Sequence, residues 1–134
     1  MIEHAFTLHT DMFEATTPSS ALINPRCFGE DFATWVRERL QARGWTPSAP
    51  IAEDWGWAFA IPHLGRTYTL SIGIMDESIG CTPAEWRIGI AFETPVNSVR
   101  SWFVPAPTRE LRALADVLEG LLRAEPRIQQ VTPE

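Results

Sequence analysis

Two histidines and one aspartate are the residues of this sequence whose types could hold a metal ion. His9 and Asp11 stand two positions apart in an alternating stretch, so a strand there would point both side chains to one face. His63 lies farther along the chain, in a predicted turn. Two imidazoles and one carboxylate form a ligand set that leaves open positions on non-haem Fe(II). The three residues therefore define one hypothesis, a small metalloenzyme or metal binder.

The metal hypothesis has an ordinary alternative. A histidine in a strand and another in a turn are common as plain polar positions. His4 has the opposite parity from His9 and is a poorer third ligand than His63. Oxygenases with this ligand set usually occur in eight-stranded jelly rolls, whereas the patterns described below predict about four or five strands. We therefore expect no cofactor and keep the metal site as an alternative.

An acidic and aromatic cluster is the second set of residues that could carry a function. Glu53, Asp54, Trp55 and Trp57 stand together around a glycine. Indole rings attract cations and are frequent among the residues that dominate protein interfaces, and carboxylates draw a basic partner toward a site. We predict these four residues as a partner-binding cluster. Two alternatives stay open: Trp57 enters the core while the acids are solvated, or tryptophans wall a pocket for a small ligand.

Composition narrows the class of protein. The chain has 134 residues, of which 45% are hydrophobic and 21% charged, which is typical of one soluble globular domain spanning residues 1–134. Its net charge of −6 disfavours nucleic-acid binding, and no apolar run approaches the roughly 20 residues that cross a membrane. The first residues lack the basic and apolar segments of a signal peptide, so we expect a cytoplasmic protein. All 11 basic residues are arginine, a bias typical of a GC-rich, bacterial genome.

Other catalytic signatures are missing from the sequence. Cys27 and Cys81 are its only cysteines, and in the cytoplasm we expect both to be reduced and buried. Cys27 directly precedes a predicted helix, where a thiolate is stabilised, but a catalytic cysteine also needs a base and no histidine is near it in the sequence. The sequence has no phosphate-binding glycine loop, no Cys-x-x-Cys, no His-Glu-x-x-His and no Gly-x-Ser-x-Gly. We therefore favour a protein that is not an enzyme.

Two segments have the apolar spacing of amphipathic helices. The first runs from about Gly29 to Arg43, with acidic residues near its start and Gly44 after its end. The second carries a stripe of leucines and ends before Pro126, with Thr108 as its predicted N-cap. Each helix must bury its apolar stripe against another layer.

Between the helices the period changes to two, which predicts three strands. They are expected at residues 57–61, 67–74 and 86–92. A further strand is predicted at about 4–13, and the tail from 127 to 134 either adds an edge strand or frays. The predicted fold class is α+β: a two-layer sandwich in which a mostly antiparallel sheet of about four to five strands packs on two helices, in the order β-α-β-β-β-α.

The two faces of the predicted sheet differ in their side chains. Large apolar residues share one parity in each strand and are expected to meet the helices. The other parity carries small and nearly uncharged residues: Ala58, Ala60, Thr67, Thr69, Ser71, Gly73, Arg87, Gly89, Ala91 and Glu93. Such a face is either solvated or covered by a partner, by a second copy of the chain, or by the segment from Val96 to Pro107.

Two motifs in this order, Asn24 to Gly29 before a helix and Glu53 to Trp57 before a hairpin, resemble a family of small uncharacterised bacterial domains. Some of these are similar to immunity proteins of toxin–immunity loci. The resemblance covers about residues 24–93 and carries no catalytic residue. It implies a non-enzymatic, antitoxin-like inhibitor that covers the functional surface of a partner. We therefore predict a protein-binding module with a basic protein partner and without a nucleic-acid or membrane partner, and a homodimer stays open.

Overall fold

A computed structural model describes residues 2–16, 28–92 and 107–134 of the chain. Its elements, in chain order, are β1 (Ile2–Thr10), α1 (Glu30–Ala42), β2 (Ile51–Glu53), β3 (Gly56–His63), β4 (Arg66–Ile74), a 3-10 turn (Asp76–Ser78), β5 (Ala84–Phe92), α2 (Thr108–Ala124) and β6 (Ile128–Pro133). The predicted α+β class is confirmed. Cys27, the rest of the first motif at 24–26, Glu93 and the segment 96–106 lie outside the described residues.

The strands form one six-stranded antiparallel sheet in the order β2-β3-β4-β5-β1-β6. The predicted strand number and the predicted element order are therefore wrong. β2 has only three residues, which is too short to show a period, and the tail forms β6 because it pairs with β1. The first strand of the sequence lies between β5 and β6, so pairing between distant parts of the chain completes the sheet.

β1 ends earlier than the predicted range of 4–13. The Thr10 hydroxyl accepts a hydrogen bond from the backbone N–H of Met12 at 3.1 Å and donates one to the carbonyl of Arg127 at 2.9 Å. The bond from Met12 to the hydroxyl two residues earlier is of the local kind that turns the chain away from a strand, and the bond to Arg127 ties this turn to a distant part of the chain. Asp11 consequently lies in a bend after β1, so it does not continue the strand face of His9 as predicted.

The two helices match their predicted segments because their apolar stripes are buried. α1 differs from the predicted range by one residue at each end, and α2 ends at Ala124, just before Pro126. The predicted cap of α2 is wrong, since Thr108 is the first helical residue and Pro107 precedes it without a side-chain cap hydrogen bond. Proline suits the start of a helix because it has no backbone N–H to leave unsatisfied there.

One face of the sheet carries both helices and the hydrophobic core. α1 lies over β3, and α2 lies over β1, β5 and β6. Most of the large apolar residues of the predicted parity are buried on this face, and Tyr68, Trp86 and Ile88 are at most 1% exposed. Trp57 and Phe92 are partly buried and pack against the core. The buried stripe of α2 consists of Leu111, Leu114, Ala115, Leu118, Leu121 and Leu122. The sequence therefore predicted correctly which strand face meets the helices.

Tyr68 is the only tyrosine of the chain, and its side chain is buried in this core. Burial raises the pKa of its hydroxyl above the ordinary value of 10.0, the carboxylate of Glu110 on α2 raises it further, and Arg66 opposes both effects. The core thus favours the neutral phenol over the phenolate.

Cys81 departs from the prediction of a buried thiol. It is free and exposed, in the connection between the 3-10 turn and β5. Its backbone N–H donates a hydrogen bond to the carbonyl of Ser78 at 2.9 Å. The prediction failed because the chain reverses here, and such reversals lie at the surface of a domain.

Candidate protein-binding face

The second face of the sheet carries no helix in the described part of the chain, and we call it the open face. Cross-strand partners share a face, so the strand register defines its members. One row across five strands consists of Ile51, Ala58, Ser71, Gly89 and Ala5. Apart from Ile51 these residues are small, so this row is flat, whereas Glu3, His9, Glu85 and Arg87 stand on the same face of β1 and β5. The sequence likewise predicts small side chains at these alternate strand positions.

Two large apolar side chains stand exposed at one edge of the open face. Ile51 is 61% exposed and Trp55 is 52% exposed. Ile51 pairs with Ala58 of β3, which places it on the open face. The third exposed large hydrophobic of the described residues, Leu64, is 75% exposed and lies at the tip of the β3–β4 turn. A single exposed hydrophobic is ordinary, but two beside a floor of small residues form an apolar surface.

A close approach of two backbones positions Trp55. This residue lies in the turn between β2 and β3 and is followed by Gly56. A Cβ at Gly56 would clash with the carbonyl oxygen of Ile72 on β4. A Cβ at Gly73 would lie 3.1 Å from the carbonyl oxygen of Trp55. Glycine at both positions therefore lets the turn lie against β4.

The structure brings together three of the four predicted partner-binding residues. Glu53, Asp54 and Trp55 are consecutive and exposed, at the end of β2 and in the following turn. Trp57 pairs with Ile72 of β4 and lies on the helix face, where it packs against the core. The alternation of side chains along β3 thus separates Trp57 from the exposed cluster.

A shallow pocket of about 320 Å³ opens beside Trp55. The residues that line it are Trp55, Ser71, Gly73, Ile74, Met75 and Arg87. Gly73 and Arg87 are cross-strand partners on β4 and β5, so the Arg87 side chain stands beside a floor that has no side chain. The pocket therefore combines an indole, a thioether and an arginine side chain around a small floor.

Two carboxylates hold the guanidinium of Arg87. Its Nη2 donates a hydrogen bond to Oε1 of Glu3, and its Nε donates one to Oε2 of Glu134, both at 2.7 Å. The hydrogen bond with Glu3 is the largest cause of a raised pKa of Arg87, while burial acts in the opposite direction. Gly89 leaves room for this group, because a Cβ there would lie 2.9 Å from Oε2 of Glu3. One positive and two negative charges thus lie together at this side of the pocket.

Two residues of the metal hypothesis have other partners. Nε2 of His9 contacts Oε2 of Glu85 across the strands at 3.2 Å. Nδ1 of His9 is buried and has no hydrogen-bond partner among the described residues. Asp11 forms an ion pair with Arg127, with 3.0 Å between Oδ1 and Nη2.

The third residue, His63, lies far from the other two. It is at the end of β3, three strands away from His9 on β1, and its ring centroid is 4.5 Å from that of Trp45. Strand spacings of about 4.8 Å separate the two histidines by roughly 14 Å or more, whereas a metal–nitrogen bond is about 2 Å long. Within residues 2–16, 28–92 and 107–134, no three His, Cys, Asp or Glu side chains are grouped to hold a metal ion. The structure does not assemble the predicted triad.

Sequence reasoning missed Ile51, Met75 and the group of Glu3, Arg87 and Glu134. Arg87 is 84 positions from Glu3 and 47 from Glu134, so no local pattern connects them. Glu3 and Arg87 lie four register positions apart on neighbouring strands, since Glu3 faces Ala91 and Arg87 faces Thr7, so cross-strand pairing gives no signal for their contact. Ile51 gave no signal, since its strand is too short to show a period.

Comparison with known protein families, with characterised proteins and with solved structures finds no match for this chain. In the part of the chain that the structure describes, no helix is both long and apolar enough to cross a membrane. The function proposed below is argued from the geometry of the open face.

Proposed function

We propose that this protein is a non-enzymatic binding module that covers a protein partner with its open face. The observation that carries the proposal is the pair Ile51 and Trp55, both more than half exposed at the edge of a face of small side chains. Exposed apolar side chains of this size gain free energy when a second surface removes them from water. A few large anchors of this kind commonly dominate the affinity of an interface.

The open face is large enough for a stable complex. The four long strands have eight or nine residues each. With spacings of about 4.8 Å between strands and about 3.3 Å per residue, they cover roughly 20 Å by 30 Å, or about 600 Å². β2 and β6 extend this area toward the roughly 800 Å² that each partner contributes to a standard interface. One partner could therefore be occluded by the sheet face alone.

Acidic residues around the open face favour a basic partner. The chain has a net charge of −6. Glu53 and Asp54 are exposed beside Trp55, and Glu3 and Glu85 lie partly exposed on the strands. Opposite charge on the partner would speed association and disfavour wrong partners. A second copy of this chain would bring two acidic surfaces together, so charge favours a different protein over a homodimer.

A protein that occludes its partner needs affinity and a complementary shape. Once the partner is bound to the open face, the partner's own substrate can no longer reach the covered surface. The proposal therefore extends to an immunity or antitoxin-like inhibitor, the class implied by the resemblance of the two sequence motifs. Its complex would contain one copy of each protein.

A matched pair of variants tests the proposal. The tagged chain is purified under native conditions from the cells that produce it, as wild type, as Ile51→Asp and as Leu64→Asp. Both variants replace an exposed aliphatic side chain by a carboxylate, but only Ile51 lies on the open face. We expect one protein in a one-to-one ratio with the wild type and with Leu64→Asp, and its loss with Ile51→Asp. Equal retention by both variants, or no retained protein with the wild type, would contradict the proposal.

A second variant tests the basic character of the partner. Glu53 and Asp54 are exposed, so their joint replacement by alanine should leave the melting temperature nearly unchanged. Removal of two charges should weaken binding of the captured protein, and more strongly at low salt. Calorimetric titrations at two salt concentrations, with Leu64→Ala as the control, measure this effect. An unchanged affinity would remove the charged cluster from the binding face.

A further inference from the structure

We infer that the pocket beside Trp55 receives a single uncharged aromatic side chain of the protein partner. The inference rests on the proposed function and adds the chemistry of the residue that anchors the partner. The pocket volume is about 320 Å³, near the lower limit of the roughly 300–1,000 Å³ typical of small-ligand sites. Its size therefore suits one side chain presented by a protein better than a large metabolite.

Three groups that line the pocket attract an aromatic ring in particular. The indole of Trp55 can pack against a second ring edge to face or offset. Met75 and Arg87 line the same pocket, and thioether and guanidinium groups both bind aromatic rings favourably. Gly73 has no side chain, so a ring can reach the backbone of β4. An aliphatic anchor would gain only contact area from the same walls.

The charges around the pocket disfavour the other classes of anchor. A carboxylate could approach Arg87 only beside Glu3 and Glu134, whose oxygens lie 2.7 Å from the guanidinium. An ammonium or guanidinium would have to compete with Arg87 for Glu3 and Glu134, which already bind the Arg87 guanidinium at 2.7 Å. A neutral ring needs neither a free cation nor a free carboxylate in the pocket. Basic residues that flank the ring on the partner would then meet Glu53 and Asp54.

Arg87 is held in place before the partner binds. One of its two hydrogen bonds goes to β1 and the other to Glu134, whose backbone N–H donates a hydrogen bond to the carbonyl of Ala5 at 2.9 Å. A planar cation fixed through two of its nitrogens loses little freedom when a ring stacks on it. The part of the pocket that Arg87 lines is thus preorganised.

Small probes of one chemistry each test the inference on the full chain. Indole, cyclohexanol, butyrate and butylguanidinium are titrated separately, and two-dimensional NMR follows the backbone amides of Ser71 and Gly73. We expect only indole to shift these signals in a saturable manner. Arg87→Gln and Trp55→Ala should each weaken indole binding by about two- to tenfold. Leu64→Ala should leave it unchanged.

The outcomes separate this inference from the proposed function. Equal binding of cyclohexanol and indole, or indole binding that neither pocket variant weakens, would overturn the aromatic anchor. If Arg87→Gln does not fold, Trp55→Ala decides by itself, because Trp55 is 52% exposed in a turn and its replacement removes one wall of the pocket. Loss of capture with Ile51→Asp but no indole binding would leave the proposed function standing and overturn the inference. The remaining outcome is that indole binds but capture of the partner does not depend on Ile51. This result would overturn both the inference and the proposed function and would indicate a pocket for a small ligand.

Discussion

Replacement of Ile51 by alanine should weaken binding of the protein partner by about 5- to 30-fold. Complete burial of an isoleucine side chain contributes about 1.5–3 kcal/mol relative to full exposure. In the free protein 61% of Ile51 is still exposed, so a partner that covers it gains roughly 1–2 kcal/mol through this side chain. At about 1.4 kcal/mol for each factor of ten, this free energy corresponds to the stated loss of affinity.

The same exposure makes the variant mild for the fold. Most of the Ile51 side chain already lies in water and β2 is an edge strand, so the melting temperature should change little. Leu64→Ala is the matched control, because Leu64 is also aliphatic and exposed but lies at a turn. Isothermal titration of the captured partner compares the two variants with the wild type. An equal loss of affinity in both, or no loss in either, would refute the reasoning.

Three further predictions concern the fold that supports the open face. Because burial raises the pKa of Tyr68, the folded state binds this proton more tightly than the unfolded state, so stability is lost as the pH rises above about 10. Tyr68→Phe should remove this loss in alkaline urea titrations. A phenolate titration midpoint at or below pH 10 in the folded protein would contradict this prediction. Leu64→Asn should raise the free energy of unfolding by about 0.5–1 kcal/mol. The φ angles of 52° at Leu64 and 78° at Gly65 are positive, and a turn of this kind favours the sequence Asn-Gly. A lower urea midpoint in the variant would argue against this prediction. Gly56→Ala should lower the free energy of unfolding by about 1–3 kcal/mol, because the added methyl group would meet the carbonyl of Ile72. An unchanged urea midpoint would show that the β2–β3 turn does not lie close to β4.

Local pattern was sufficient for the elements whose apolar period is long. Both helices have several turns with one apolar stripe, so their limits could be read within about two residues. The strands β4 and β5 alternate over nine residues each, which placed Tyr68 and Trp86 on the buried face. These predictions succeeded because each depends on burial of one face of one continuous segment.

The remaining parts of the fold depend on residues distant in the chain. β6 exists through its pairing with β1, which joins Thr10 to Ile128. β1 ends at Thr10, whose hydroxyl bonds to the carbonyl of Arg127, although the alternation of the sequence continues past residue 10. That extension produced the wrong shared face for His9 and Asp11.

The candidate site could be predicted only in part. The sequence alone predicts the small side chains of the open face and the exposed segment from Glu53 to Trp55. Both are local features, since the first depends on alternation along single strands and the second on a turn. Adjacency in the sequence groups Trp57 with Trp55 in the predicted cluster. The alternation of β3 places Trp57 with Phe59 on the helix face. The pocket combines the β2–β3 turn with β4 and β5, so it emerges only from the sheet register.

Hydroxyl-radical footprinting of the free chain and of its complex with the captured partner tests the binding face most directly. The method labels side chains according to their exposure to water, and tryptophan and methionine react readily. We expect oxidation of Trp55 and Met75 to fall several-fold in the complex, while Trp45 and Leu64, away from the open face, stay unchanged. Undiminished oxidation of Trp55 in the complex, with protection of the solvent side of α2 instead, would contradict the central claim that the open face binds the partner.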